Sequence, residues 1–304
     1  MISIIIATYN RAHFILEMLQ SVQNQSYVDF ECLIIDDGST DNTSNVVTDF
    51  IKNDKRFSYQ NRPNNYKKGL PGVRNYGLDI CKGDYVIFFD DDDIIHPDNL
   101  KISFEIVKNN TVAFCHYQKL AFETSKPVFE NTDIVNQKSL AKSDIEKVIT
   151  QQIGLASCTV LWNRNCFKSN RFNEELMYAE EWECYSRILS EGYEGVIIDS
   201  VLYFNRKHPN SNTGEFYSNN PIRKASKKEA VLLVIQNLKE KGFLTNSLLR
   251  YFIQMSLDYK EFKLFEKILN TAKLSLVNQI KWKIFYAFLP FRLYLYQIKK
   301  KIVS

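Results

Sequence analysis

The chain has 304 residues, room for one large domain or two small ones. With 45% hydrophobic and 24% charged residues, its composition excludes a disordered chain, a collagen-like repeat and a multi-span membrane protein. The formal net charge of +4 hides an asymmetry: residues 1–220 carry 22 Lys and Arg against 30 Asp and Glu, and residues 221–304 carry 17 against 5, so an acidic body of −8 is joined to a basic tail of +12.

Taken in chain order, the first hundred residues alternate apolar runs with helical patterns. Ser3–Ala7 (SIIIA) is predicted as a buried strand, rich in β-branched Ile. Phe14, Ile15, Leu19 and Val22 recur at helical spacing. Phe30–Ile35 (FECLII) is a second strand ending at Asp36-Asp37-Gly38, and Ser39 or Thr40 is placed to cap a helix carrying Val46, Val47 and Phe50. A short strand at Phe57–Gln60, a Pro/Asn/Lys/Gly loop over Arg62–Gly72 and a helix over Val73–Ile80 follow. Tyr85–Phe89 (YVIFF) is a strand that runs into four aspartates; Leu100–Val107 is predicted as helix and Val112–His116 as strand. This order, with continuous apolar strands, predicts an α/β fold with a mostly parallel sheet flanked by helices. Residues 120–157 show no period that places them. A helix over Glu180–Leu189 and a strand at Gly195–Ile198 come next, and from Pro221 the pattern is helical only, with Val231, Leu232, Ile235 and Leu238 on one face.

The six cysteines, Cys32, Cys81, Cys115, Cys158, Cys166 and Cys184, form no CxxC pair and no zinc-type spacing with His. They are expected to be buried free thiols in a reducing compartment. Met1 leads directly into ISIIIATYN without a basic, signal-like region, and the apolar stretch Ile284–Ile298 is broken by Pro290 and Arg292. A cytoplasmic location is the expectation from these features.

In open α/β sheets, ligands bind outside the carboxyl ends of the strands. Thr8-Tyr9-Asn10, Asp36-Asp37 and Asp90–Asp93 all fall there. Taken singly, Asp36-Asp37-Gly38-Ser39 serves equally as a turn with a helix cap, and Tyr9 as a packed aromatic. Four adjacent carboxylates differ, because they repel one another and a divalent cation such as Mg²⁺ or Mn²⁺ relieves that repulsion. On extended backbone Asp90 and Asp92 project to one side and Asp91 and Asp93 to the other.

The opening SIIIATYNRAHFILEMLQSVQNQSYVDFECLIIDDGSTDNT, the block GLPGVRNYGLDICKGDYVIFFDDDDIIHPDNL and the block RFNEELMYAEEWECYSRILSEGY together resemble the family 2 glycosyltransferases over about residues 1–210. The resemblance implies the GT-A fold: a Rossmann-like catalytic domain over 1–215 (nucleotide-sugar half about 1–116, acceptor half about 117–215) with a basic helical extension over 216–304. It implies an inverting, metal-dependent glycosyltransferase that moves a sugar from a nucleotide-diphosphate sugar, expected to be UDP-linked, to a hydroxyl of a glycan or lipid-linked acceptor. It places Thr8 and Tyr9 at the base, Asp36 against a uracil-type ring and Arg74 near the nucleotide. Asp90 and Asp92 become the DxD pair, with Asp92 the direct metal ligand, Asp90 nearer the ribose or a metal-bound water, and Asp91 grouped with the nucleotide-sugar contacts. The acceptor-activating base aligns with Glu181, one methylene longer than the family's usual Asp, with Glu180 as the fallback. His208, in RKHPNS, matches a loop that contacts phosphate or metal.

The tail Ile280–Ser304 is aromatic, with six Lys and Arg and no acid. It suits an interfacial segment on an anionic membrane, which would place the protein on the inner face of the cytoplasmic membrane; packing of its aromatics on the catalytic domain is the alternative. No nucleic-acid motif accompanies the positive charge. A nucleotidyltransferase, or a non-catalytic sugar-nucleotide-binding or membrane scaffold, are the competing functional readings.

Overall fold

A computed structural model of the chain describes residues 1–123, 127–129, 136–208, 212–259, 261–288 and 291. The chain divides into two compact units, Met1–Asn237 and Leu238–Ser304. The division falls within a helix, beyond the point near 215 where the charge changes sign.

The first unit is built on a nine-stranded sheet. Strands β1 (Ile2–Thr8), β2 (Phe30–Asp36), β3 (Phe57–Asn61) and β4 (Tyr85–Asp90) are linked by α1 (Ile15–Gln23), α2 (Thr43–Ile51) and α3 (Leu70–Ile80). They lie parallel in the order β3-β2-β1-β4, with Thr8 level with Asp36 and Ala7 level with Asp90. The register therefore brings the carboxyl ends of β1, β2 and β4 to one edge. The β-branched runs that announce these strands are their buried centres: Ile2, Ile4, Ile6, Cys32, Ile34, Ile87 and Phe89 join Met18, Leu19 and Val22 of α1 in one core.

The rest of the sheet is mixed. Beyond β4 come β8 (Val160–Asn163), β6 (Phe114–Phe122), β9 (Gly195–Arg206) and β5 (Ile94–Ile95), and β7 (Gln137–Leu140) pairs with β9. β4 and β8, β8 and β6, β9 and β5, and β9 and β7 are antiparallel; β6 and β9 are parallel. The helices α4 (Asn99–Asn110), α5 (Ile145–Ile149), α6 (Glu180–Ser190), α7 (Asn212–Tyr217) and α8 (Pro221–Glu240) complete this part. Two strands are longer than their apolar runs suggest. β6 continues past His116, and β9 continues through the polar pair Asp199-Ser200 into LYFNR, which carries Arg206 to the strand ends. The 120–157 stretch supplies β7 and α5.

The second unit contains α9 (Asn246–Asp258), α10 (Phe262–Thr271) and α11 (Leu276–Ala287). α9 and α10 bury Leu248, Leu249, Phe252, Ile253, Leu264, Phe265, Ile268 and Leu269. α11 has no buried residue and exposes Leu276, Val277, Ile280 and Ile284 at helical spacing, continued by exposed Phe288 and Phe291. Residues 289–290 and 292–304, which include Pro290 and Arg292, lie outside the described residues. Among the described residues, no helix is long and apolar enough to cross a membrane. All six cysteines are free and buried.

Candidate active site

A cleft of about 760 Å³ opens at the carboxyl ends of the parallel strands, within the size range of small-molecule sites. Thr8, Tyr9, Arg11, Asp37, Lys68, the four aspartates Asp90–Asp93, Lys119, Arg206 and His208 line it. Thr8 ends β1 and is buried. Tyr9 is exposed, with the Lys68 ammonium 4.2 Å from its ring centroid. Asn10 is held at φ 54°, a left-handed conformation that Asn tolerates because its short side chain bonds locally: its Oδ1 accepts from the Thr40 and Asp41 N–H groups. This turn fixes the exit of Tyr9 and Arg11 from the sheet.

Asp36 and Asp37 have different settings. Asp36 is 1% exposed, and both its oxygens are taken: Oδ1 accepts from the Gly38 and Ser39 N–H groups at 2.8 and 2.5 Å, and Oδ2 from the Tyr59 hydroxyl at 2.6 Å. It is not among the residues that line the cleft. Asp37 is on the cleft wall, where it accepts from Arg62 Nε at 2.5 Å and the Gly69 N–H at 2.9 Å. Sequence spacing points to the pair; the structure turns its second member towards the ligand space.

β4 ends at Asp90 and the chain turns at Asp91-Asp92, so the four acids do not lie on extended backbone; Asp91 and Asp93 are nevertheless buried, and Asp90 and Asp92 more open. Asp91 pairs with Arg11 Nε at 3.2 Å, and Asp93 accepts the Arg206 backbone N–H at 2.7 Å. Asp92 Oδ2 lies 2.8 Å from His208 Nε2 and 4.0 Å from Arg11 Nη2. Burial, together with the charge of Asp92, pushes the Asp91 carboxyl up to about 7. Among the described residues, no three potential ligands converge as a complete metal cage. Two carboxylates on one cleft wall nevertheless fit a hard divalent cation that takes its remaining ligands from a diphosphate. Asp90 and Asp92 could hold such an ion, and His208 contacts the Asp92 carboxylate.

A smaller cavity of about 190 Å³ adjoins the cleft and shares Leu70, Asp90, Lys119, Cys158 and Met177 with it. Its other walls include Arg74, Ser157, Glu180, Glu181, Trp182 and Lys227. Ala179, at φ 65°, turns the chain into α6 immediately before the two glutamates, a strained conformation of the kind that gathers at functional sites. In the first turn of α6 the two acids also face the positive end of the helix dipole. Glu180 is buried and pairs with Arg74 Nη1 at 2.8 Å. Glu181 keeps 31% of its side chain exposed; its Oε2 accepts the Ser157 N–H at 3.2 Å and lies 3.9 Å from Arg74. Of the two, Glu181 is the carboxylate open to the cavity.

Arg74 lies in this smaller cavity and not among the residues lining the larger cleft. Its Nη2 donates to Ser157 Oγ at 3.0 Å and lies 3.7 Å from Asp90. Burial works against its charge, but Glu180, Glu181 and Asp90 hold it above the ordinary arginine value. The guanidinium thus ties the end of β4 to the start of α6. Two residues before Arg74, Gly72 lets the Lys67 backbone pack against the start of α3, since a Cβ there would meet the Lys67 carbonyl oxygen at 1.9 Å.

Sequence reasoning singles out neither Arg11, Lys119 nor Lys227, and it meets Arg206 only as the start of the RKHPNS stretch that carries His208. Arg11 sits inside the TYNRAHF turn, so its proximity to the first turn carried a signal. Lys119 and Lys227 reach the site from β6 and α8, by pairings that no local pattern announces.

Comparison with known proteins agrees with this architecture. A glycosyltransferase of Rickettsia bellii is 30% identical over 198 residues, which is 64% of this chain but 27% of that protein, so the chain spans less than a third of that relative. The Escherichia coli protein named UDP-Glc:alpha-D-GlcNAc-diphosphoundecaprenol beta-1,3-glucosyltransferase WfaP is 30% identical over 212 residues, covering 69% of this chain and 79% of that one. The crystal structure of S. aureus TarS 1-349 in complex with UDP-GlcNAc superposes with a TM-score of 0.67 at 20% identity, over 89% of this chain and 79% of that one, which shows the GT-A fold. The model of glycosyl transferase family 2 matches residues 3–164, more than half of the chain, and the chain belongs to that family.

Proposed function

We propose that this chain is an inverting, metal-dependent glycosyltransferase. It moves a sugar from a nucleotide-diphosphate sugar, UDP-linked, to a hydroxyl of a glycan or lipid-linked acceptor in polysaccharide synthesis. The observation that carries the reading is the junction of the two cavities. A carboxylate-rich cleft sized for a nucleotide-diphosphate adjoins a smaller cavity into which Glu181 opens.

In this reading Tyr9 and Thr8 receive the base, with Asp37 rather than the fully engaged Asp36 on the wall beside them. Asp90 and Asp92 would hold Mn²⁺ or Mg²⁺, which when bound supplies positive charge to the departing diphosphate. Lys119, on the boundary of both cavities, and Arg11 add positive charge on the donor side. Glu181 takes the proton of the acceptor hydroxyl as its oxygen bonds to the anomeric carbon. The bond to the diphosphate oxygen breaks on the opposite face, and its electron pair leaves with the nucleotide. One displacement inverts the anomeric centre. Arg74 positions Glu180 and Glu181 against Asp90.

Support for a lipid-linked acceptor comes from the name of the Escherichia coli relative, whose acceptor is a diphosphoundecaprenol-linked sugar. The exposed apolar stripe of α11 and the absence of any Asp or Glu after Glu266 favour contact of this end of the chain with an anionic membrane surface. Liposome flotation tests that part: deletion of 280–304 abolishes binding to anionic vesicles, and unchanged binding would remove it. A scaffold without activity would bind sugar nucleotides and release no nucleotide diphosphate, so an assay of nucleotide release with a sugar-nucleotide panel and Mn²⁺ separates the readings.

A further inference from the structure

The smaller cavity holds three acids, Asp90, Glu180 and Glu181, and three cations, Arg74, Lys119 and Lys227. Arg74 lies within 4 Å of all three acids. Lys227 has no carboxylate within ion-pair distance among the described residues. Its ammonium instead lies 3.7 Å from the centroid of the Trp182 ring, whose indole N–H donates to the Ile149 carbonyl oxygen at 3.2 Å.

This placement is built into the fold. Ser226, the preceding residue, is buried, and its hydroxyl both accepts the Tyr178 N–H at 2.9 Å and donates to the Tyr178 carbonyl oxygen at 2.7 Å. These two bonds lock the first half of α8 to the turn that opens α6. The lysine, the tryptophan and Glu181 are thereby held on the walls of one cavity. Desolvation pushes the Lys227 ammonium down to about 8, with the charge of Glu181 opposing the shift, so the half-buried cation has lost part of its hydration and holds no ion pair in exchange among the described residues. A ring face compensates only part of that loss. An anionic oxygen group entering the cavity would compensate it more fully, through a charge-assisted hydrogen bond.

We propose that Lys227 binds an anionic group of the acceptor, a phosphate or a carboxylate, carried on the same sugar residue whose hydroxyl faces Glu181. The size of the cavity leads to the second half of the statement. About 190 Å³ has room for a hexose ring, and Lys227 and Glu181 both line it, so one ring can meet the ammonium with its anionic group and Glu181 with its hydroxyl. A sugar whose anomeric carbon carries phosphate and a uronic acid both satisfy this chemistry. The inference deepens the glycosyltransferase reading and rests on it for the role of Glu181.

The test is a binding titration, separate from turnover. Trp182 lies beneath the ammonium, so intrinsic fluorescence reports the event. The full chain is titrated with α-D-GlcNAc 1-phosphate, methyl α-D-glucuronide and neutral methyl α-D-GlcNAc. One of the two anions should bind about tenfold or more tightly than the neutral glycoside, and which one does so identifies the source of the charge. Lys227→Met, which retains the apolar stem over Trp182, should bring that ratio down to within about threefold, while Lys227→Arg should retain it. Lys227→Gln serves as the second charge-free variant if the Met variant does not fold. Equal binding of all three sugars by the wild type, or an anion preference that survives in a folded charge-free variant, overturns the proposal. Nucleotide release from sugar nucleotides is measured alongside. Turnover without anion preference removes Lys227 alone; anion preference without turnover on any donor removes the glycosyltransferase reading and leaves the anion site.

Discussion

Arg74→Met should be among the most damaging single substitutions in the catalytic unit. The guanidinium side chain is only 4% exposed; it lies 2.8 Å from Glu180, 3.0 Å from Ser157 Oγ, 3.7 Å from Asp90 and 3.9 Å from Glu181. Methionine fills much of the volume but leaves Glu180 buried beside two other acids without its ion-pair partner. Removing one partner of a buried pair costs about 3–5 kcal/mol, most of it from the stranded charge. Glu180→Gln in the same chain removes that charge, so the double variant should recover about 2 kcal/mol relative to the sum of the single changes. Urea unfolding of the wild type, both single variants and the double variant closes the cycle. A loss of under about 1 kcal/mol in Arg74→Met, or purely additive effects, would refute the claim that Arg74 holds these carboxylates in place.

Other expectations concern the chemistry and the core. Glu181→Gln should lower the transfer rate by about 10²- to 10⁴-fold with the fold intact by circular dichroism, whereas a full rate would remove Glu181 as the base. Asp92→Asn should weaken metal-dependent nucleotide binding measured by calorimetry, and a variant that binds donor and Mn²⁺ as tightly as the wild type would sink the ligand role. Buried His116, in contact with the Thr159 carbonyl oxygen at 3.1 Å, is pushed by desolvation down to about 4. The unfolded chain therefore takes up this proton first, and stability is lost as pH falls from about 6.5 towards 4, by up to about 3 kcal/mol. Asp91, raised to about 7, acts in the opposite sense over an overlapping range, so the quantity to follow is the difference between wild type and His116→Asn. If that difference stays flat from pH 7 to 4, His116 is not held neutral by the fold.

The parallel half of the fold was legible because its strands are buried on both faces. Such strands read as unbroken runs like SIIIA and YVIFF, with turn residues at their ends. The mixed half was not. β7 (QKSL) and β8 (VLWN) are short and owe their conformation to neighbours distant in sequence, and β9 carries a polar pair at mid-strand. The same limit applies at the site. Spacing located Asp36-Asp37 and Glu180-Glu181, but adjacent acids differ only in the direction their side chains take. Asp36 turns into a cage of two N–H groups and a hydroxyl while Asp37 faces the cleft; Glu180 turns into Arg74 while Glu181 faces the cavity. Lys227 left no trace in the sequence, since bonds between residues distant in sequence, Ser226–Tyr178 and Arg223–Met177 among them, bring it there.

The central claim is that one cavity activates an acceptor hydroxyl while the adjoining carboxylate cleft holds a metal-bound nucleotide-diphosphate sugar. Release of nucleotide diphosphate from a panel of sugar nucleotides, measured with Mn²⁺ and again after EDTA, tests it most directly. The account predicts release from at least one donor, abolished by EDTA and restored by Mn²⁺ or Mg²⁺. Release that is indifferent to EDTA, or absent with every donor and acceptor supplied, would contradict it.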